Sequence, residues 1–267
     1  MTTFQRIRHD LRLRLLQVQG VRPVTPRMLR VTLGGDQLAG FVSAAHDDHA
    51  KVFFPRPGQE RPLLPVPGPN GPVFAEGDAR PTGRDYTPRR YDAAANTLEI
   101  DFVLHGDGPA ASWAARAAAG QWLGVGGPRG SFVLADVFDS YLLVGDETAL
   151  PAIGRRLEEL PAGARAIVVC EVADAAEEQR FESRASVDIH WLHRDGAEAG
   201  GPDGLLSALA GLTFPTGEVY AWVAAEAAVA KTLRRHLVSG RGVPKDQVKA
   251  AAYWKHGAAA VHETYDD

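Results

Sequence analysis

Arg84-Asp85-Tyr86-Thr87-Pro88-Arg89 gathers a cation, an aromatic ring and a hydroxyl in one short run. In an extended chain the period of two sets Arg84 and Tyr86 on one side and Thr87 on the other. Pro88 biases Thr87 toward extended backbone and removes one donor. A flat ring ligand with an anionic tail needs such a set. The ring stacks on Tyr86, a ring nitrogen meets the Thr87 hydroxyl, and the Arg84 guanidinium pairs with phosphate. An edge strand in a polar loop, carrying a surface arginine, also accounts for these residues taken alone.

Two further stretches could meet an anion or a nucleotide. His105-Gly106-Asp107-Gly108-Pro109-Ala110-Ala111-Ser112-Trp113 reads as a strand end, a glycine turn and a helix start, with Pro109 in the first helical turn. Free N–H groups and the positive end of the dipole suit an anion there; the spacing predicts a helix to about Ala119, stopped by Gly120. Gly145-Asp146-Glu147-Thr148 follows an apolar run and opens another helix, and Ala224-Ala225-Glu226 ends a later run. Acidic groups at the Gly145 turn favour a nicotinamide or ribose over a pyrophosphate.

Other chemistry-bearing residues read as structural. His46-Asp47-Asp48-His49 is a polar loop rather than a metal site, because contiguous loop residues rarely supply fixed ligand geometry. Lys51 opens the strand that follows and is solvated by default. Cys170 lies in an apolar run and reads as a buried strand thiol. His190 and His193 flank Trp191 as strand residues; Arg194, after the third strand, could meet a 2′-phosphate but reads rather as an incidental exposed arginine. The cluster Gly124-Val125-Gly126-Gly127-Pro128-Arg129-Gly130 matches neither the dinucleotide fingerprint nor a phosphate loop.

These residues need two kinds of element to position them. Leu11–Gln19, with Leu11, Leu13 and Leu15 facing inward, Met28–Leu33 and Thr97–Leu104 alternate as half-buried strands; the last sets Asp101 on its polar face. Residues 55–83, rich in Pro and Gly, form a long loop. Several short strands with one helix predict a small antiparallel β-barrel over residues 1–136. From residue 137 the rhythm changes. Continuous apolar runs at 141–144, 166–172, 187–192 and 219–223 alternate with helices after Gly145 and near 175–181, 203–209 and 226–238. That pattern predicts a parallel sheet covered on both faces, with ligands beyond the carboxyl ends of its strands.

The 267 residues are 45% apolar and 23% charged, with net charge −4 and one cysteine. No basic field for nucleic acid is evident. A single cysteine excludes both an internal disulfide and a self-contained cysteine-ligated iron–sulfur cluster. No run approaches the roughly eighteen apolar residues of a membrane helix, and Met1–Arg6 has no signal-type apolar core. A cytoplasmic, monomeric enzyme or binding protein is the expectation.

The ordered set Arg84–Arg89, Asp101–His105, Gly108-Pro109 with Trp113, Gly127–Ser131, Gly145–Pro151 and Tyr253–Gly257 resembles the ferredoxin reductase-like flavoenzymes. Among these it resembles most the siderophore-interacting proteins, or ferric-siderophore reductases. The resemblance implies FAD in the N-terminal barrel, with Arg84 at the pyrophosphate, Tyr86 on the ring and Thr87 near its reactive nitrogen. Leu104 and His105 would lie along the cofactor, and Gly108, Pro109, Ala110, Ala111, Ser112 and Trp113 would close over its phosphates. It implies NADH or NADPH near Gly145, Asp146, Glu147, Thr148 and Glu226 of the α/β domain. It also implies a basic pocket of Lys51, Arg129 and Lys255 for a ferric siderophore or other ferric chelate. A flavin takes electrons in pairs and releases them singly, which ferric iron requires. A reductase serving a protein partner and a non-enzymatic siderophore binder are the alternatives.

Overall fold

The computed structural model describes residues 4–68, 71–73, 82–106, 108–258 and 263–265. The chain divides into two compact units, Met1–Leu134 and Ala135–Asp267.

In the first unit, strands β1 (Phe4–Arg8), β2 (Leu13–Thr25), β3 (Met28–Gly34), β4 (Ala50–Phe53), β5 (Val66–Gly68), β6 (Gly71–Val73), β7 (Gly83–Tyr86), β8 (Arg90–Asp92), β9 (Thr97–Val103), β10 (Trp122–Gly126) and β11 (Gly130–Leu134) surround one helix, α1 (Pro109–Ala114). Seven strands form an antiparallel sheet in the order β7-β4-β10-β2-β3-β9-β8; β1 pairs with β11 and β5 with β6. Leu16, Val18, Val31, Leu33, Val52, Leu98, Ile100, Phe102, Leu123 and Val125 fill the core against one face.

Three expectations are corrected here. The inward face of β2 carries Leu16 and Val18, not Leu11, which is 46% exposed. A one-residue phase shift exchanges the faces of a strand, and it turns Arg14 inward. Arg14 stacks 5.3 Å from the Phe41 centroid and donates to the Gly127 carbonyl, which makes its burial tolerable. Asp101 on β9 is also buried, at 3% exposure. Arg30 grips it with two bonds of 2.6 and 2.7 Å, and Arg89 approaches to 3.9 Å, so its charge is paired. Finally, α1 stops at Ala114 rather than near Ala119. Gly120 and Gln121 must exchange backbone bonds with Val18 to start β10, which forces tight turns before them. The 55–83 loop contains the β5–β6 hairpin; residues 69–70, 74–81 and Asp107 lie outside the described residues.

In the second unit the elements run β12 (Ser140–Asp146), α2 (Leu150–Glu159), β13 (Arg165–Val172), β14 (Ser186–His193), α3 (Asp203–Gly211), β15 (Val219–Glu226), α4 (Ala227–Arg235), β16 (Val248–Trp254) and β17 (Glu263–Tyr265). The sheet order is β14-β13-β12-β15-β16-β17, parallel except at β17. Every residue of β12 and β15 is buried, which explains their unbroken apolar sequence. Leu150, Ile153 and Leu157 of α2 and Val229, Ala230 and Leu233 of α4 cover the sheet with apolar stripes. The expected helix at 175–181 is only a turn, Ala175–Glu177, capped by Asp174. Its sequence carries no apolar stripe to bury, and a short helix without one is not stable. The chain leaves central β12 toward β13 and β14, then returns to β15 on the other side. That reversal makes a topological switch point beside the carboxyl end of β12.

Candidate functional site

β7 is an edge strand of the first sheet. Its pairing with β4 sets Ala50 opposite Tyr86, Lys51 opposite Asp85 and Val52 opposite Arg84. The Tyr86 ring lies 4.5 Å from Phe102 and 6.4 Å from Phe54 by centroid. Trp113 of α1 joins the same cluster, 5.6 Å from Phe102 and 5.7 Å from Phe54. These rings dock α1 beside the Arg84 strand, so two stretches distant in sequence reach one place. Burial pushes the Tyr86 phenol well above its usual pKa, with Arg84 opposing weakly; the ring is neutral at any working pH.

Among the described residues, Arg84 and Thr87 are left without side-chain partners. Among the described residues the Arg84 guanidinium donates only to the Gly83 carbonyl, at 2.9 Å, and no carboxylate answers its charge. Thr87 is buried to 7% exposure, yet its hydroxyl makes no hydrogen bond to a described residue. Behind them Arg89 is anchored, its backbone N–H donating to Glu99 and its side chain facing Asp101. A free cation, a free hydroxyl and a partly buried aromatic ring at the outer edge of the sheet fit a flavin nucleotide. Leu104 packs on the core and His105 is exposed. Gly108 and Pro109 are exposed at the start of α1, while Ala110 and Ala111 turn inward and Ser112 is half-buried.

The cationic residues divide by environment. Lys51 is not simply solvated: its Nζ pairs with Asp85 at 2.8 Å. Arg129 is exposed, just after β10, whose Gly126 is the register partner of Lys51. Lys255, in the other unit, is exposed immediately after β16. Nearby in the first unit, Ser131, His9 and Asp48 come together without forming a nucleophilic triad. Ser131 donates its proton to Asp48 at 2.6 Å and accepts from Ala44 N–H, so the His9 contact at 2.8 Å is a further donation to Ser131 and not base catalysis. Asp48 also holds Ser43 and the Ala45 N–H, which fixes the loop ahead of β4.

At the carboxyl ends of the second sheet the acidic residues are occupied by protein partners. Gly145 is required because a Cβ there would strike the Ala224 carbonyl oxygen on β15. Asp146 accepts from Thr148 N–H at 2.9 Å, Thr148 Oγ1 at 2.5 Å and Trp254 Nε1 at 2.8 Å. Burial, then the charge of Glu147, pushes its carboxyl above the usual range. Glu226 caps α4 through Ala228 and Val229 N–H and also accepts from His256 N–H. Gly200, at φ 90°, lies against the Trp254 ring, where a Cβ would come within 2.9 Å. Glu147 holds Arg194 with two bonds of 2.6 and 2.7 Å. Arg194 is therefore not an exposed arginine: its side chain is 9% exposed and reaches Glu171 at 3.3 Å. His190 and His193 end as expected, on β14, facing Asp188 and Glu178. Cys170 is fully buried, with its thiol pKa pushed up by burial and surrounding carboxylates.

The architecture is shared with electron-transfer flavoenzymes. The ferredoxin reductase in carbazole 1,9a-dioxygenase superposes with a TM-score of 0.62 over 90% of this chain and 69% of that one, at 17% identity, which establishes the fold alone. The chain thus has a ferredoxin reductase-like fold, an antiparallel-sheet domain followed by a parallel α/β domain. Residues 17–132 match the family model described as siderophore-interacting FAD-binding domain, and residues 138–257 the one described as siderophore-interacting protein. It is 37% identical to the NADPH-dependent ferric-chelate reductase of Escherichia coli, over 94% of this chain and 96% of that protein. A siderophore utilization protein from T. fusca is similar at 44% identity and a TM-score of 0.90, covering 97% and 98% of the two chains. The chain belongs to the siderophore-interacting protein family.

Proposed function

We propose that the protein is an FAD-dependent ferric-siderophore reductase, drawing electrons from NAD(P)H and releasing iron as the ferrous ion. The observation that carries this reading is the set at the end of β7: Arg84 and Thr87 without side-chain partners among the described residues, beside the Tyr86 ring. The ferric-chelate activity named for the E. coli relative, at 37% identity over nearly the whole chain, supports it.

In this reading Arg84 binds the FAD pyrophosphate, Tyr86 supports the ring and Thr87 donates to it, while the start of α1 receives phosphate oxygens on its N–H groups. Bound flavin supplies the exchange between two-electron and one-electron chemistry. Gly145–Thr148 and Glu226 shape the strand ends that receive the nicotinamide nucleotide. Lys51, Arg129 and Lys255 attract an anionic ferric chelate, and the Asp85 pairing moderates the first of these. Ferric iron bound by hard oxygen donors loses affinity as ferrous iron, so reduction favours release. No side chain of this set needs to act as a general acid or base. The boundary between the two functional domains falls near residue 136, and we assign the protein to the cytoplasm as a monomer. Among the described residues no helix is long and apolar enough to cross a membrane.

The test begins with colour. Purified protein carries flavin absorbance, or takes up FAD, and then oxidises NAD(P)H in the presence of a ferric siderophore with appearance of ferrous iron. A protein that binds no FAD, or binds it but reduces no ferric chelate with either nucleotide, refutes the reading.

A further inference from the structure

The second parallel strand ends in a carboxylate that the assignments above do not use. Glu171 is the register partner of Asp146 and lies one strand away from the switch point. It is 8% exposed. Arg194 contacts its Oε1, but its Oε2 makes no hydrogen bond to a described residue. The space beside that oxygen is kept by a glycine: a Cβ on Gly204, in the first turn of α3, would lie 3.2 Å from Glu171 Oε2. A carboxylate oxygen without a donor from a described side chain, with only a glycine beside it, can accept from a ligand hydroxyl. In doubly wound nucleotide domains the carboxyl end of the second strand meets the adenosine ribose. There an acid accepts from the 2′-hydroxyl, whereas a free arginine accommodates a 2′-phosphate.

The arginine here is not free. Glu147 accepts from both terminal nitrogens of the Arg194 guanidinium, and Glu171 accepts from one of them as well. Two carboxylates surround one cation, so the local charge is −1 before Asp146 is counted. A phosphate dianion would meet repulsion from Glu171 and would have to displace Glu147 to reach Arg194, leaving a buried charge unpaired.

We propose that Glu171, held by Arg194 against Glu147, selects a nicotinamide nucleotide with a free ribose 2′-hydroxyl, so that this chain takes NADH in preference to NADPH. The inference rests on the reductase reading and sharpens it. It assigns a donor that differs from the one in the name of the E. coli relative.

The test uses FAD-loaded protein and two unreactive probes, ADP-ribose and 2′-phospho-ADP-ribose, titrated by calorimetry. ADP-ribose binds at least about tenfold more tightly, a difference of about 1.4 kcal/mol. Glu171→Gln and, separately, Glu147→Gln narrow that ratio. In each variant Arg194 keeps one carboxylate, so at least one of the two retains a folded site, verified by its melting transition. Equal or tighter binding of the 2′-phospho probe overturns the inference. So does a ratio unchanged in both variants, or binding of neither probe. Stopped-flow reduction of the flavin by NADH and NADPH separates the two proposals. Faster reduction by NADPH sinks the selectivity and leaves the reductase intact. Discrimination between the probes without flavin reduction by either nucleotide does the reverse.

Discussion

The two candidate regions use charge in opposite ways. On the β7 edge, Arg84 and Thr87 have no side-chain partners among the described residues, and β7 is paired with β4 on one side only. At the ends of β12, β13 and β15, nearly every polar side chain is held by another: Asp146 by Trp254 and Thr148, Glu226 by α4, Glu147 by Arg194. The first arrangement is incomplete without an anion and a ring. The second is complete in itself, apart from one oxygen of Glu171. A resident cofactor suits the first, because the binding groups need no rearrangement and an unpaired cation gains from a permanent partner. A visiting nucleotide suits the second, where the shape is fixed by internal bonds and few groups are committed to the ligand.

The largest effect that could break this comparison is loss of the cofactor from the first region alone. Arg84→Ala removes a charge whose only described side-chain bond is to its neighbour's carbonyl, so the melting temperature of the apoprotein changes little. A charge-assisted hydrogen bond is worth about 1.5–3 kcal/mol, so FAD affinity falls roughly ten- to a hundredfold. The flavin-to-protein ratio after desalting, beside an apoprotein melt, checks both. A variant that keeps its flavin shows that Arg84 is only a surface cation.

A smaller effect tests whether the pairing of Lys51 with Asp85 tunes the substrate. Asp85→Asn releases a half-exposed lysine from its salt bridge. Exposed pairs are worth up to about 1 kcal/mol, so the apparent KM for an anionic ferric chelate falls at most about fivefold. The KM for a neutral chelate stays put. Equal changes for both would show that Lys51 does not act on substrate charge.

Why one region was legible in the sequence and the other only partly so follows from chain distance. Arg84, Tyr86 and Thr87 lie within four consecutive positions, so their meeting at one strand could be read from the sequence. The rings that seat Tyr86 come from Phe54, Phe102 and Trp113, and only the fold joins them. Strands β12, β13 and β15 announced themselves as unbroken apolar runs. β16 did not: Val248-Lys249-Ala250-Ala251-Ala252 has too few β-branched residues to read as a strand, and burial between β15 and β17 makes it one. Arg194 looked exposed because it follows the third strand in a polar, Gly-containing stretch, and its actual partners lie far off in sequence. Its partners, Glu171 on β13 and Glu147 just beyond β12, are brought to it by the parallel sheet. Asp101 was misread likewise, since its partner Arg30 lies on another strand. The phase of β2 was lost because Leu occurs on both faces and the inward arginine is tolerated only beside Phe41.

The smallest effect concerns the acid titration of the strand-end cluster. Burial raises the Glu171 carboxyl above its model-peptide value of 4.5, Arg194 opposes this, and the charges of Asp146 and Glu147 add to the rise. The native state therefore holds a proton that the unfolded chain has released, between the unfolded pKa and the higher folded one. Stability from this group is fully present below pH 4.5 and declines as pH rises through the folded value. Glu171→Gln cannot titrate and lacks that decline. Its stability relative to the parent should accordingly improve from acid toward neutral pH, as measured by urea unfolding at a series of pH values. A relative stability that instead worsens with rising pH would mean that the ionised Glu171–Arg194 pair outweighs the cost of burying the carboxylate. Glu171 would then act as a structural counter-ion, with its free oxygen no longer available to a ribose.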